Sequence, residues 1–202
     1  MTRYYLGRLS RLIERAKVYL HITKARGIVR RYFVLNSFDG AMTVFGIVLG
    51  SWVSGVADSH IIILAGLVTS LAMGLSGFFG AFLAERAERE GHLKELKAAT
   101  NDNVERVHYD AARFVTFYVA IVDGLSPALA AIISLAPFML VPIGWIPLGT
   151  AYGASMVLSL VTLFLLGIYL GKVAKGSWWF YGLMMVTAGA FAALIVFLIQ
   201  LF

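Results

Sequence analysis

Two aspartates lie inside long apolar stretches of the sequence, where a charged side chain is costly. Asp39 belongs to NSFDGAMTVFGIVLG, residues 36–50, and Asp123 belongs to VDGLSPALAAIISL, residues 122–135. If these stretches cross a bilayer, each carboxylate costs about 2.5–3.5 kcal/mol and is expected to face a polar interior or a pathway. The alternative is structural: a protonated acid bonded to a neighbouring serine or backbone carbonyl.

The neighbours of Asp39 favour the first interpretation. Asn36, Met42, Thr43 and Gly46 occupy positions −3, +3, +4 and +7 relative to Asp39, which is one face of a helix. Oxygen, amide and thioether groups together suit a borderline divalent metal. Gly46 and Gly50 form a G-x-x-x-G step that lets helices approach closely, so ordinary helix packing explains part of this face.

A second set of metal-ligand residue types lies in the polar segment of residues 85–113. Four of them recur at helical spacing and two more form an E-x-x-H pair: Glu85, Glu88, His92 and Glu95, then Glu105 and His108. Carboxylates with imidazole suit Fe²⁺, Mn²⁺ or Zn²⁺. Glutamate and arginine alternate here, so a solvent-exposed helix with internal ion pairs is an equally open interpretation.

Composition indicates which elements must position these residues. The chain has 202 residues, of which 60% are hydrophobic and 14% charged, whereas soluble domains are about 25% charged. Helical apolar segments of roughly 20 residues cross a bilayer, and the sequence has five: 32–57, 61–84, 114–141, 147–171 and 178–201. We therefore predict an all-α polytopic membrane protein with five transmembrane helices.

The organisation follows from these segments. Residues 1–31 are predicted to form a basic amphipathic interfacial helix, because leucines alternate with arginines at helical spacing. Residues 32–84 hold transmembrane helices 1 and 2, residues 85–113 form a short helical cytoplasmic segment, and residues 114–202 hold helices 3 to 5. No signal peptide is expected.

The basic residues predict the orientation. Nine of the 17 Lys and Arg residues precede the first apolar segment, six lie in residues 85–113, and Lys172 and Lys175 lie between the last two segments. Five spans place all three groups on one side, so the positive-inside rule puts the N-terminus in the cytoplasm. The net charge of +6 beside apolar spans favours contact with anionic headgroups rather than nucleic acid.

Several function classes are disfavoured by the same residues. The chain has no cysteine, so it offers neither a disulfide framework nor a thiolate metal site. No span carries a nucleophile–base pair or a ready metal triad, so we do not expect an enzyme. A transporter, a passive cation channel and a non-transporting membrane scaffold remain.

Three stretches resemble the vacuolar iron transporter family. NSFDGAMTVFGIVLG is similar to the N-D-G-x-x-x-x-x-G-x-x-x-G pattern of that family's first span. GLVTSLAMGLSGFFGAFLAERAERE is similar to its second span and the acidic helix that follows. SPALAAIISLAPFML is similar to its third span, and the likeness extends over roughly residues 32–201.

The resemblance implies a homodimer with the ion path between subunits. It implies export of Fe²⁺ or Mn²⁺ from the cytoplasm, driven by counterflow of protons, with the metal as cargo and no permanently bound cofactor. Asp39 matches the family's translocation aspartate, Glu85 and Glu88 look like the first glutamates of its cytoplasmic metal site, and Glu105 resembles a later one. The expected location is a cell membrane in a prokaryote or a vacuolar-type membrane in a eukaryote.

The second span departs from the family pattern. That span usually reads S-M-A-x-G-E-Y, which supplies a methionine and a glutamate. Here the nearest alignments give Ser70-Leu71-Ala72 or Ser76-Gly77-Phe78, and Ala81 stands at the glutamate position. Met73, one turn away, is the candidate substitute, and we add it with Asp123 to the predicted pathway.

Overall fold

The structure is a computed structural model that describes residue 14, residues 16–100 and residues 106–200. Within that part it is all-helical, with five long helices and no strand. They are α1 (Arg26–Val53), α2 (Ser59–Ala99), α3 (Arg106–Leu140), α4 (Leu148–Val173) and α5 (Trp178–Gln200). Each is long and apolar enough to cross a membrane. The predicted fold class and the five membrane-crossing helices are therefore confirmed, while the orientation stays a prediction.

The polar segment between the second and third spans lengthens two helices. α2 has 41 residues and α3 has 35, so α2 alone is about 60 Å long at 1.5 Å per residue, twice the ~30 Å hydrocarbon core. Residues 85–99 continue α2, and residues 106–113 form the start of α3. Glu105, and most of the interfacial helix predicted for residues 1–31, lie outside the described residues. Residues 16–22 are helical, and a turn at residues 23–25 leads into α1.

The chain divides into two compact units, and α1, α2 and α3 contribute to both. The first consists of the residues up to Phe33 together with Ser76–Asp123. Its core is small and aliphatic, with aromatic rings packed around it. Phe82 stacks on Phe78, with ring centroids 6.4 Å apart, and its tilted contact with Phe117 is at 5.1 Å. The buried residues of this core are Ala25, Ala81, Val115, Val119 and Ala120.

The second unit consists of Val34–Leu75 and Gly124–Phe202. Tyr152 anchors its core by donating a hydrogen bond of 2.7 Å to the Val56 carbonyl oxygen. α4 and α5 pack at backbone distance, because a Cβ atom at Gly167 would lie 2.6 Å from Gly182 Cα. The buried residues of the main cluster are Val44, Val48, Ile62, Ala131, Leu135, Phe138, Ala151 and Tyr152.

Candidate metal-translocation site

Asp39 and Gly40 lie on different sides of α1. Neighbouring helical residues are about 100° apart at 3.6 residues per turn, and here Gly40 is buried while Asp39 is exposed. The buried side of α1 also includes Ser37, Ala41 and Val44. The carboxylate that the sequence places deep in an apolar span is therefore not covered by the described residues of its own chain.

The buried side of α1 meets α3 at very short range. A Cβ atom at Gly40 would lie 2.6 Å from Pro127 Cα and closer still to the Pro127 carbonyl oxygen, so only glycine fits there. The Ser37 hydroxyl donates a hydrogen bond of 3.5 Å to the Ser126 carbonyl oxygen at the same crossing. This contact fixes which side of α1 meets α3, and Asp39 lies about 100° around the helix from Gly40.

The two glycines of the G-x-x-x-G step are open. A Cβ atom at Gly46 or Gly50 would meet no atom within 4 Å among the described residues. Asn36 and Thr43, on the same face as Asp39, are half-buried. The predicted ligand face of α1 thus has a thin, uncovered surface running from Asp39 to Gly50.

The two methionines predicted for the pathway are both half-buried. Met42 packs against the apolar cluster of Ala41, Ala130 and Leu163, so part of its side chain belongs to the core of the second unit. Met73 on α2 is half-buried in that unit too. Packing in the core is one reason for a methionine at position 42. The role of its sulfur as a metal ligand stays a prediction.

Asp123 differs sharply from Asp39, because it is only 4% exposed. It belongs to the first unit, where Gly77 of α2 lies directly against its carboxylate. Pro127 has no N–H group, so it cannot donate the usual helical hydrogen bond to the Asp123 carbonyl four residues earlier. Asp123 is thus enclosed within its own chain.

Glu85 is also enclosed, and its partner is an arginine that the sequence analysis had not singled out. Arg89 donates a hydrogen bond of 3.0 Å to Glu85 Oε2, and the two side chains are only 10% and 2% exposed. Arg89 donates a second bond, of 3.4 Å, to the Thr23 carbonyl oxygen in the turn before α1. The two residues are four positions apart on α2, and this spacing in the sequence is typical of an ion pair within a helix.

Four of the predicted cytoplasmic ligands line one cavity of about 510 Å³ in the first unit: Glu88, His92, Glu95 and His108. His92 Nδ1 lies 4.0 Å from Glu95 Oε2. Arg89 and Lys24 line the same cavity and bring positive charge to it. In the part of the chain that the structure describes, no three His, Asp or Glu side chains are grouped closely enough to hold a metal ion.

Comparison with known proteins identifies the family of this chain. Residues 30–120, which include Asp39, Glu85 and Glu88, match the model of the VIT family. An uncharacterized protein of Methanocaldococcus jannaschii is 33% identical over 174 residues, which is 84% of this chain and 87% of the relative. The chain belongs to the VIT family, the vacuolar iron transporters. The predicted family resemblance is thereby confirmed.

VIT family membership, together with the five apolar helices, makes this chain an integral multi-pass membrane protein. The family associates the chain with membrane transport of metal, in agreement with the expectation of a transporter rather than an enzyme. The family match covers α1, α2 and the first part of α3. The Asp39 face and the Glu88 cavity both lie on these helices.

In α2, where the sequence of this VIT family member departs from the family pattern, the residues concerned are buried. Ala81, at the position where the family pattern has glutamate, is 3% exposed and packs in the core of the first unit. Ser70, from the other alignment, is buried and donates a hydrogen bond of 2.6 Å to the Gly66 carbonyl oxygen of its own helix. Both positions serve packing, and the pathway role of Asp39 stays a prediction.

Proposed function

We propose that this chain exports a divalent transition metal, Fe²⁺ or Mn²⁺, from the cytoplasm in exchange for protons. The proposal further states that it works as a homodimer, with the ion path at the subunit interface around Asp39. The observation that supports this proposal best is the exposure of Asp39 on an apolar helix, in a chain that belongs to a metal-transport family.

The exposure of Asp39 supports the dimer. A carboxylate facing lipid at mid-membrane is costly, and a second copy of the chain removes that cost by covering it. Gly46 and Gly50 leave room for a helix to approach this face, since nothing in the described chain fills it. In a two-fold symmetric interface the same patch meets itself, so α1 would pack on its counterpart and bring two Asp39 side chains together.

Two facing carboxylates would couple metal to protons. Their mutual repulsion favours a proton held between them when the site is empty. A divalent cation neutralises both carboxylates and releases that proton. Metal and proton would then occupy the site in turn, and this competition would couple metal movement in one direction to proton movement down its gradient in the other.

The remaining ligands of this face would select the ion. Met42 on α1 and Met73 on the neighbouring segment of the chain, α2, offer thioether sulfur, which favours Fe²⁺ over Mg²⁺, an ion that requires oxygen ligands and retains its water. Asn36 and Thr43 would complete the coordination with oxygen. Asp123, enclosed in its own chain, would have a secondary part in the pathway.

The cavity lined by Glu88, His92, Glu95 and His108 would collect ions before transport. Two acidic and two imidazole side chains on one cavity suit weak, exchangeable binding of a transition metal. Glu105 would add to this set, and Glu85 would support it through Arg89. Loss of these residues would lower metal affinity without abolishing transport.

The deciding experiment is metal flux through purified Asp39→Asn in proteoliposomes with an imposed pH gradient. Asparagine preserves the shape but removes the charge and the exchangeable proton. We expect flux to fall by at least about tenfold, the effect of removing one charge-assisted interaction, while the protein still folds and dimerises. Asp123→Asn should do less harm.

Asp58→Asn is the matched control, because Asp58 lies in the loop before α2. It accepts a hydrogen bond of 2.8 Å from the His60 backbone N–H, a role that asparagine also performs. The proposal is wrong if Asp39→Asn transports metal at the wild-type rate while protons still move in the opposite direction. Flux that continues in the wild type without any proton movement would instead identify a passive channel.

A further inference from the structure

A second cavity of about 680 Å³ lies in the first unit between α2 and α3, where both helices leave their apolar segments. It shares Arg89, Leu93 and Ala112 with the cavity that holds Glu88 and His92. Its lining is positive overall, because five cationic side chains and one carboxylate line it, whereas two cations and two carboxylates line the other cavity. The cations are Arg86, Arg89, Lys94, Lys97 and Arg113, and the carboxylate is Glu90.

Internal pairing leaves part of this positive charge uncompensated. Arg86 donates a hydrogen bond of 2.8 Å to Glu90; that bond and the charge of Arg86 lower the pKa of the Glu90 carboxyl, and the charge of Lys94 lowers it further. Arg89 is paired with Glu85, and Lys97 Nζ lies 5.9 Å from the centroid of the Tyr109 ring. Lys94 and Arg113 form no ion pair within the described part of the chain, so the cavity keeps a positive field suited to an anion.

The cavity changes from polar to apolar along the helix axes. Arg113 comes directly before the apolar run of α3, and Phe117 follows one turn later, about 6 Å deeper. Phe117 is 51% exposed and contacts Phe82, which ends the same cavity on α2. Cations at one end and open aromatic rings at the other match a molecule with an anionic head and an apolar body.

We propose that this cavity binds the headgroup of an anionic phospholipid. The phosphate would lie between Arg113 and Lys94, where a guanidinium offers paired N–H donors and an ammonium adds a point charge. The acyl chains would run past Phe117 and Phe82 into the bilayer. A free phosphate would satisfy the cations but would leave the exposed aromatic end unused, and for this reason we commit to the lipid.

The test compares lipid binding in the full chain and two charge-matched variants. The site variant is Lys94→Gln with Arg113→Gln. The control is Lys172→Gln with Lys175→Gln, which removes the same charge from the connection between α4 and α5. Each protein is placed in nanodiscs of phosphatidylcholine, with or without phosphatidylglycerol, and bound phosphatidylglycerol is counted by native mass spectrometry after gentle release.

We expect the wild type and the control to retain phosphatidylglycerol and to unfold at a higher temperature when it is present. The site variant should retain about tenfold less for each charge-assisted hydrogen bond that the substitutions remove. A charge-keeping variant, Lys94→Arg with Arg113→Lys, should restore retention, and it also provides the test if the glutamine variant does not fold.

Three outcomes would overturn the inference. Equal losses in the site variant and the control would mean that only overall charge attracts the lipid. Unchanged retention in the site variant would mean that the cavity holds no lipid. Inorganic phosphate giving the same stabilisation in phosphatidylcholine nanodiscs, with the same dependence on Arg113, would identify a free-anion site. None of these results bears on Asp39, so the transport proposal stands or falls separately.

Discussion

Gly77 of α2 lies against the carboxylate of Asp123, so closely that a Cβ atom at Gly77 would be 2.9 Å from Asp123 Oδ2. The same atom would be 3.4 Å from the Asp123 carbonyl oxygen. The missing side chain is therefore what allows α2 to cover Asp123. Asp39 has no such cover among the described residues of its own chain, and this contrast separates an enclosed acid from one that is available to a partner and an ion.

Gly77→Ala should destabilise the protein, because the new methyl group displaces the Asp123 side chain from its enclosed position. Overpacking of this kind costs about 1–3 kcal/mol. Gly80→Ala is the matched control on the same helix, since a Cβ atom there meets nothing within 4 Å of the described chain. Thermal unfolding in detergent should show a lower midpoint for Gly77→Ala alone. Equal midpoints would mean that Asp123 moves aside without cost.

Gly46→Leu should weaken dimerisation but leave the folded monomer intact. A Cβ atom at Gly46 meets nothing within 4 Å of the described chain, whereas a large side chain would block close approach of two α1 helices. Gly80→Leu controls for added bulk, because a Cβ atom at Gly80 on α2 also meets nothing within 4 Å. Cross-linking and light scattering in detergent report the dimer fraction. An undiminished dimer in Gly46→Leu would move the interface to another face.

Arg89→Leu should be far more damaging than Arg86→Leu. Removing Arg89 leaves Glu85 charged and buried, which costs about 3–5 kcal/mol in comparable cases. The Arg86 and Glu90 side chains are 62% and 56% exposed, and exposed ion pairs contribute little to stability. Denaturant unfolding of both variants provides the comparison. Adding Glu85→Gln to Arg89→Leu should recover part of the loss, and no recovery would contradict a direct ion-pair effect.

Single cysteines at the two ends of α2 should label from opposite sides of the membrane. The chain has no cysteine of its own, so each variant carries one reporter. His60→Cys and Ala99→Cys both replace exposed residues, whereas Ser59 beside His60 is buried. We expect a membrane-impermeant maleimide to reach residue 60 only from outside and residue 99 only from the cytoplasm. Labelling of both from one side would contradict the five-span topology.

The helices were predictable because their signals are strong and local. A run of about 20 apolar residues identifies a span without any partner, and basic residues between runs mark the connections. α2 shows the limit of this approach: Ala, Glu, Arg and Lys all favour helix and dominate residues 85–99, so the single Gly91 did not reveal whether the helix ends or continues.

The site was harder to predict because contact between helices has no short-range signature. The spacing of Asn36, Asp39 and Thr43 showed that they share a face, but not that the face is open. Which side of α1 is buried depends on the close contact between Gly40 and Pro127, a residue far away in the sequence. The Glu85–Arg89 pair lies within one helix, yet both side chains are buried, and their spacing in the sequence does not predict that burial.

Arg89 lines both cavities of the first unit, the one with Glu88 and His92 and the one with Lys94 and Arg113. A single guanidinium thus faces a proposed cation site on one side and a proposed anion site on the other. If both proposals hold, a bound lipid phosphate offsets the positive charge that repels metal, and the two ligands are thermodynamically linked. Whatever factor phosphatidylglycerol adds to metal affinity, metal must add to phosphatidylglycerol affinity. The composition of the surrounding bilayer would then act as an allosteric effector, setting how readily the transporter loads its cargo.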